Sequence, residues 1–407
     1  MMSNDYTVKV GEDWYTYVSD TGDIEKNGHV WEKNIYTDFT GISTRMKLDI
    51  TEEQWIRGEV VQSLWLSISH ICNMVCEYCF AQDGTYGTAS LMNWETAKRA
   101  IDFFFEYLKK DVRKIRVNFF GGEPLLNKEV FLKSVEYINE KAQKIEKPVR
   151  YIITTNSTII DNEIISIFKD NNFMVNASID GDVNAQNSSR RFKDGKETYS
   201  IVWKNIMLLV ENGIEVIARV TITKKNLRFF RESVLKMWKA GIEYVQFAPV
   251  QTDDENLKLD IACLKKFEQD LAYLVKFSNQ SADNGKRCDL GNITEYENRI
   301  ASRLILKECR FFNSFTIICA PDGKIYNCNR IIGNKDYEAG SVFEGIKWEK
   351  LKKDYNCPEI CKRCWARHLC GGGCHLTNDE LSCLFNKIVI DVALKDYITE
   401  KNRKSPI

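Results

Sequence analysis

The chain has 407 residues, and its 57 Lys and Arg residues equal its 57 Asp and Glu residues, so its formal net charge is zero. This balance predicts no nucleic-acid partner and no attraction to acidic membranes, and no apolar stretch reaches the roughly 18 residues of a membrane-spanning helix. Residues 1–5 lack the apolar region of a signal peptide, so we expect a cytoplasmic location. The 14 cysteines, three at 72–79 and nine at 309–383, then indicate metal or redox chemistry rather than disulfides.

Residues 1–61 are predicted to be a short N-terminal β-rich segment. The strings 5–10 and 14–18 alternate like a small strand pair with aromatic faces. Two roles are open for it: an extended peptide could add a strand to this pair, or the pair could be a β-flap that covers the barrel described next.

Residues 62–285 are predicted to form six strand–helix units. The predicted strands are Leu64–Ile68, Ile115–Phe120, Arg150–Thr155, Phe173–Ile179, Glu215–Thr223 and Tyr244–Pro249. The helices that follow them are Trp94–Lys109, Lys128–Lys144, Asn162–Lys169, Tyr199–Glu211, Phe230–Lys239 and Leu259–Phe277. Such a series predicts parallel strands with right-handed crossovers, and six units are too few for a full eight-stranded barrel. We therefore predict an α/β fold, a partial (β/α)6 TIM-like barrel with its site at the C-terminal ends of the strands.

Three cysteines, Cys72, Cys76 and Cys79, lie in the loop after the first predicted strand. The spacing C-x3-C-x2-C lets one loop turn three sulfurs toward a common centre, and thiolates suit iron–sulfur clusters, zinc or copper(I). A cubane of four irons held by three sulfurs keeps one iron open for chemistry. The alternative is a structural zinc site with His70 as the fourth ligand.

The later predicted strands end in glycines and polar residues. Two glycines allow close approach of a ligand, and a hydroxyl beside a carboxylate suits a ribose diol. An arginine amid apolar neighbours needs a carboxylate partner. In chain order these residues are Gly121, Gly122 and Glu123, then Asn156, then Ser178 and Asp180, then Arg219.

Taken together, the cysteine loop with Tyr78 before its third cysteine and these strand ends resemble the radical SAM superfamily over about residues 62–280. The resemblance implies a [4Fe–4S] cluster on the three cysteines, with S-adenosyl-L-methionine on its open iron. It also implies that Gly121, Gly122 and Glu123 hold the methionyl amine, that Asn156, Ser178 and Asp180 hold the ribose region, and that Arg219 holds the carboxylate. The reaction implied is reductive cleavage of S-adenosyl-L-methionine to a 5′-deoxyadenosyl radical, followed by hydrogen abstraction.

A linker at 286–308 leads to a second cysteine pattern at 309–385, and 386–407 is predicted as a C-terminal helix and tail. The pattern resembles the SPASM extension of radical SAM enzymes, which implies two auxiliary clusters and thus three [4Fe–4S] clusters in all. By this resemblance, the first auxiliary cluster uses Cys309, Cys328 and Cys374, and the second uses Cys361, Cys364, Cys370 and Cys383. The fourth ligand of the first auxiliary cluster is left open between Cys319, Cys357, a substrate thiolate and none. A zinc-ribbon-like cap is the alternative to clusters.

The strings 79–86, 119–125 and 364–367 resemble maturases of ribosomal peptides of the ranthipeptide and sactipeptide type. The resemblance implies a thioether crosslink from a Cys sulfur to a carbon of a cysteine-containing precursor peptide, with the α, β or γ position left open. It further implies a flavodoxin or ferredoxin-type reductant, and the N-terminal segment could contact the leader of the precursor. The alternatives are another radical SAM peptide modification (formylglycine formation in sulfatases, carbon–carbon crosslinking or epimerisation) and a non-catalytic electron-transfer or zinc protein.

Overall fold

The computed structural model describes residues 5–19, 21–30, 61–109, 111–304, 306, 316–351, 358–374, 376 and 379–404. The strands are β1 Tyr6–Val10, β2 Asp13–Val18, β3 Asp23–Lys26, β4 His29–Val30, β5 Ser63–Ser69, β6 Met74–Cys76, β7 Ile115–Gly121, β8 Val149–Thr155, β9 Met174–Ser178, β10 Arg190–Phe192, β11 Glu215–Ile222, β12 Tyr244–Pro249, β13 Asp289–Leu290, β14 Thr316–Cys319, β15 Ile325–Tyr326, β16 Gly340–Ser341 and β17 Gly345–Ile346. The helices are α1 Trp94–Glu106, α2 Lys128–Lys144, α3 Asn162–Asp170, α4 Val183–Asn187, α5 Tyr199–Glu211, α6 Phe230–Lys239, α7 Ile261–Asp283, α8 Gly291–Ala301, α9 Trp348–Leu351, α10 Glu359–Lys362, α11 Arg367–Cys370 and α12 Glu380–Lys404.

The chain divides into two compact units, one from 50–258 and 311–353 and the other from 1–49, 259–310 and 354–407. The division differs from the predicted boundaries 62–285 and 309–385. Helix α7 and the predicted linker belong to the smaller unit, and the first half of the cysteine-rich segment belongs to the larger one.

A parallel sheet forms the centre of the larger unit. Within this unit its strands lie in the order β12-β11-β9-β8-β7-β5-β14-β15. The six predicted strands correspond to β5, β7, β8, β9, β11 and β12, and each pairs in parallel with its neighbour. This order confirms the predicted α/β class with sequential parallel strands. Strand β14 was not foreseen in the sheet: it extends the edge by pairing in parallel with β5.

Aromatic side chains fill the space between this sheet and helices α2 and α3. Phe119 of β7 meets Phe131 of α2 edge-on, with ring centroids 4.7 Å apart. Tyr151 of β8 and Phe168 of α3 each lie 4.9 Å from Phe173, measured between ring centroids. All five residues are nearly inaccessible to solvent, so this packing fixes the strands whose ends carry the predicted site.

Helix ends follow the signals in the sequence. Asn93 caps α1, because its side chain accepts a hydrogen bond of 2.8 Å from the Thr96 amide. Gly213 follows α5 with a φ of +73°, a left-handed conformation that glycine adopts at little cost. None of the described helices is long and apolar enough to cross a bilayer.

The smaller unit contains the N-terminal segment as a four-stranded antiparallel sheet in the order β1-β2-β3-β4. Tyr15 and Tyr17 are buried in a core shared with Ile390 and Leu394 of α12. The ring of Tyr6 stacks on that of Trp365, with centroids 3.8 Å apart. The segment is therefore grouped with the C-terminal cysteines in the smaller unit. Residues 31–60 of the predicted segment lie outside the described residues.

Candidate functional site

The first cysteine loop leaves the sheet at the C-terminal end of β5 and is held by a second, two-stranded sheet. Its middle forms β6, which pairs antiparallel with β10, and Arg190 stands opposite Cys76. The amide of Cys79 donates to the carbonyl of Cys76 at 2.9 Å, which turns the chain back on itself. Burial is the main cause of the raised pKa values of Cys72 and Cys76; Cys79 contributes to both, and Cys72 contributes to that of Cys76. Cys72, Cys76 and Cys79 thus lie in one short loop, near enough for their charges to interact.

Polar groups of the chain surround these sulfurs. The Met74 amide lies 3.4 Å from the Cys72 Sγ, and the Asn156 Nδ2 lies 3.7 Å from the same atom. The Arg190 Nη1 lies 4.0 Å from the Cys76 Sγ. Burial raises the pKa of Cys72 to about 11 and that of Cys76 to about 12, so without a metal both hold their protons near neutral pH. Three soft sulfur donors with N–H groups beside them fit an iron–sulfur cluster, whose sulfurs accept such hydrogen bonds.

The predicted glycines of β7 contact the cysteine loop itself. The Gly122 amide donates to the Ser69 carbonyl at 2.6 Å, and a Cβ at Gly122 would lie 2.5 Å from the Ile71 carbonyl oxygen. From the other side, a Cβ at Gly84 would lie 2.6 Å from the Cys72 Cβ. The glycines, Gly121 among them, therefore let two backbone segments close around Cys72, a task that the sequence had suggested only for a ligand.

Glu123 is fully buried, and both its carboxylate oxygens accept hydrogen bonds within the chain. The donors are the Leu125 amide at 3.1 Å, the Thr155 hydroxyl at 2.8 Å and the Asn156 amide at 2.7 Å. Burial raises the pKa of Glu123 to about 7 against these three bonds. The structure thus makes Glu123 a brace between the ends of β7 and β8 and, through Asn156, a support of Cys72.

Asp180 is likewise enclosed by donors of the chain. Its carboxylate accepts hydrogen bonds from the Tyr78 hydroxyl, from the Thr221 amide at 3.0 Å and from the Arg190 Nη2 at 3.1 Å. The pKa of Tyr78 is well above its ordinary value, with burial as the main cause. Tyr78 and Asp180 therefore form one buried group with Arg190, a residue that the sequence reasoning missed because no periodicity or spacing singles out one arginine of the Arg190–Arg191 pair.

Ser178 and Arg219 remain accessible. They stand opposite each other on β9 and β11, and Gln246 stands opposite Arg219 on β12. The Arg219 guanidinium donates to the Gln246 side chain. Three polar side chains thus lie level across adjacent strands, near the C-terminal edge of the sheet, where a ligand of a parallel α/β fold binds.

The fourth ligand in the zinc alternative for the first loop is His70, whose ring contacts other side chains. His70 is buried, its Nε2 lies 3.2 Å from the Ser67 hydroxyl, and its ring packs on that of Tyr86 at 4.6 Å between centroids. Burial lowers the pKa of His70 to about 4. Among the residues that the structure describes, no three His, Cys, Asp or Glu side chains are arranged as a single metal ion requires.

The second predicted cysteine set is also brought together, around α10, α11 and the start of α12. The Cys364 amide donates to the Cys361 carbonyl at 3.1 Å. The pKa of Cys370 is raised to about 11, first by burial and then by Cys364 and Cys383. The pKa of Cys383 is raised by burial and by Cys361 and Cys364. Asn386 Nδ2 lies 3.9 Å from the Cys370 Sγ, which repeats the amide–sulfur contact of the first loop.

The structure describes only some of the cysteines that were predicted for the remaining cluster. Cys309 and the alternative ligand Cys357 lie outside the described residues. Cys328 belongs to the larger unit and Cys374 to the smaller one. The alternative ligand Cys319 is fully buried on β14, where its thiol donates to the Ala320 carbonyl at 3.5 Å, so its surroundings are those of a core residue.

The chain is similar to several known proteins, and part of the larger unit matches a family model. Residues 66–234 match the family model of the Radical SAM superfamily. Over 308 residues the chain is 28% identical to the uncharacterized protein MJ0907 of Methanocaldococcus jannaschii, which covers 75% of this chain and 96% of that protein. Over 333 residues it is 23% identical to the cysteine-type anaerobic sulfatase-maturating enzyme of Clostridium perfringens, with coverages of 76% and 87%.

The solved structure of native anSMEcpe with bound AdoMet shares the fold. Its TM-score against this chain is 0.71 at 20% identity, and the match covers 84% of this chain and 100% of that one. Residues 66–234 are thus similar to the Radical SAM superfamily, and the predicted α/β fold with a parallel-strand sheet is confirmed. None of these matches singles out a thioether-forming branch, and the related enzymes are named for sulfatase maturation.

Proposed function

We propose that the chain is a radical SAM enzyme that oxidises a side chain of a peptide or protein, as sulfatase-maturating enzymes do. The observation that carries this proposal is the loop of Cys72, Cys76 and Cys79 at the end of β5, inside the domain that matches the Radical SAM superfamily. The similarity to sulfatase maturases supports this choice over the thioether reaction that the sequence favoured.

In this proposal the three cysteines hold a [4Fe–4S] cluster. When bound with S-adenosyl-L-methionine, the cluster supplies one-electron chemistry and a radical that abstracts hydrogen. Asn156 orients Cys72, and the Gly121–Gly122 pair keeps the loop against the sheet. Because Ser178 and Arg219 are accessible, they are the side chains we assign to the ribose region and the carboxylate of the cofactor.

Cys361, Cys364, Cys370 and Cys383 are proposed to hold a second [4Fe–4S] cluster. Cys309, Cys328 and Cys374 are proposed to hold a third, which gives three clusters per chain. Oxidation of a side chain after hydrogen abstraction releases an electron, and these clusters would take it. A flavodoxin or ferredoxin-type protein is the proposed source of the electron that starts the reaction.

Thioether formation in a cysteine-containing precursor peptide is the second candidate. The strings 79–86 and 364–367 favour it, because they resemble peptide maturases of that type. Thioether formation and the oxidation of serine to an aldehyde each remove two hydrogen atoms from the peptide, so mass loss alone does not separate them. They differ in product: one consumes a thiol, and the other yields a carbonyl group.

The experiment combines the reconstituted protein, S-adenosyl-L-methionine and a reductant, under anaerobic conditions, with two peptides. One peptide carries a sulfatase-type Ser or Cys site, and the other is rich in cysteine. We expect 5′-deoxyadenosine with wild type and none with Cys76→Ala. An aldehyde, trapped by a hydrazide, supports sulfatase-type oxidation; loss of a thiol without an aldehyde supports the crosslink. Absence of 5′-deoxyadenosine from iron-loaded wild type would refute both.

A further inference from the structure

Arg190 is a buried cation beside the first cysteine loop. Its side chain is 9% exposed, and its Nη1 lies 4.0 Å from the Cys76 Sγ. Its Nη2 donates to the Asp180 Oδ1 at 3.1 Å, and its Nε lies 3.0 Å from the Oδ2. Because the Nη1 faces the sulfur while the other two nitrogens face the carboxylate, the guanidinium lies between the two negative groups of a loaded site.

Contacts on every side hold the guanidinium in this place. Its backbone belongs to β10, in register with Cys76 of β6, and its carbonyl accepts from the Thr198 hydroxyl at 2.8 Å. Its plane lies over the Tyr78 ring, 5.2 Å from the centroid. Asp180 is fixed in turn by the Tyr78 hydroxyl and the Thr221 amide. A charge so constrained cannot turn away when the charge beside it changes.

The position of the Arg190 charge would affect the reduction of a cluster bound by the three cysteines. A cluster bound by thiolates becomes more negative on reduction, and its potential depends on net charge, hydrogen bonds to the sulfurs and solvent exposure. In a site shielded from water, a fixed cation near one sulfur stabilises the reduced form more than the oxidised form. Asp180 keeps the cation charged and aimed, and its own charge is offset by three donors.

We propose that Arg190 is a positioning residue that raises the reduction potential of the cluster on Cys72, Cys76 and Cys79, with Asp180 orienting it. This rests on the proposed function. Its role is separate from that of Arg219, because Arg190 is buried and faces a sulfur whereas Arg219 is accessible and meets Gln246.

The test is a redox titration of the reconstituted protein, followed by the paramagnetic signal of the reduced cluster and accompanied by iron analysis. The variants are Arg190→Met, which removes the charge, and Arg190→Lys, which keeps it. Arg191→Met is the matched control, because Arg191 is exposed and stands opposite Val75, one position from the Arg190–Cys76 pair.

For Arg190→Met we expect the reduction equilibrium to shift at least tenfold toward the oxidised cluster, about 59 mV for one electron, with wild-type iron content. Arg190→Lys should restore most of the shift, and Arg191→Met should match wild type. A fully loaded Arg190→Met protein with the wild-type potential would overturn the proposal.

Arg190→Met leaves the buried Asp180 without its cation, and the protein could then fail to load. In that event the proposal is tested with the double variant Arg190→Met/Asp180→Asn, which removes both buried charges. We expect a smaller shift in the same direction, and an unchanged potential refutes the role of Arg190. Failure of the proposed function looks different: iron-loaded wild type would then give no signal that responds to S-adenosyl-L-methionine.

Discussion

Replacing Glu123 by Gln should change how the stability of the protein depends on pH. The pKa of Glu123 is about 7 in the folded protein and 4.5 in its ordinary environment. Because the folded pKa is the higher one, the folded state binds more protons between these values. The stabilising contribution of the protonated group is therefore complete below pH 4.5 and is lost as pH rises through 7. This loss amounts to about 2.5 kcal/mol between about pH 5 and pH 8.

The measurement is urea unfolding of wild type and Glu123→Gln across this pH range, followed by circular dichroism. We expect the free energy of unfolding of the variant to fall less with pH than that of wild type, by about 2.5 kcal/mol over the range. The whole curve should also be lower by about 1–3 kcal/mol, since an amide nitrogen would face one of the donors that Glu123 now satisfies. Glu140→Gln, on the exposed face of α2, is the control. Parallel pH profiles for wild type and Glu123→Gln would refute the burial argument.

Variants at three further positions probe the candidate site and the smaller unit. Gly122→Ala should reduce iron bound to the first cysteine set, because its Cβ would meet the Ile71 carbonyl; iron analysis with normal loading would contradict this. Arg219→Ala should weaken binding of S-adenosyl-L-methionine without loss of iron, measured by calorimetry, and an unchanged affinity would remove the carboxylate role. Tyr6→Ala should destabilise the smaller unit by about 1–3 kcal/mol through loss of its stacking and of its hydrogen bond, whereas Tyr6→Phe should cost about 1 kcal/mol; equal proteolysis rates for the two variants would argue against the stack.

The order of the sheet could be predicted from the sequence because each strand is a short apolar run followed by a helix with its own end signals. Asn93 and Gly213 mark such ends, and the structure places both where the pattern put them. Strands β6 and β10 could not be predicted in this way. Each has three residues, and their pairing depends on the loop after β9 returning to the cysteine loop, a long-range contact without local periodicity.

Cys72, Cys76 and Cys79 could likewise be grouped from their spacing, whereas the grouping of the later cysteines follows from the family resemblance. The surroundings of the cysteines could not be predicted from the sequence, because they depend on which side chains the fold buries. Glu123 and Asp180 carry the same kind of charge as ligand-binding residues, yet both are enclosed and fully engaged by the chain. Arg219 carries the charge predicted for it and remains accessible. The sequence alone does not distinguish these three residues. The packing does, because it encloses the two carboxylates and leaves the arginine accessible.

This separation also explains why the first cysteine loop has so many partners. The Cys72 and Cys76 thiols have raised pKa values and resist ionisation, and a bound cluster would add further charge that must be compensated inside the protein. The chain meets this need with the side-chain amide of Asn156, which follows β8, and with one cation from β10, Arg190. Glu123 accepts from the backbone amide of Asn156, and Asp180 accepts from the guanidinium of Arg190. The two carboxylates are thus best understood as a pair with parallel tasks: Glu123 fixes the backbone of Asn156, Asp180 orients Arg190, and each of these two residues faces a sulfur.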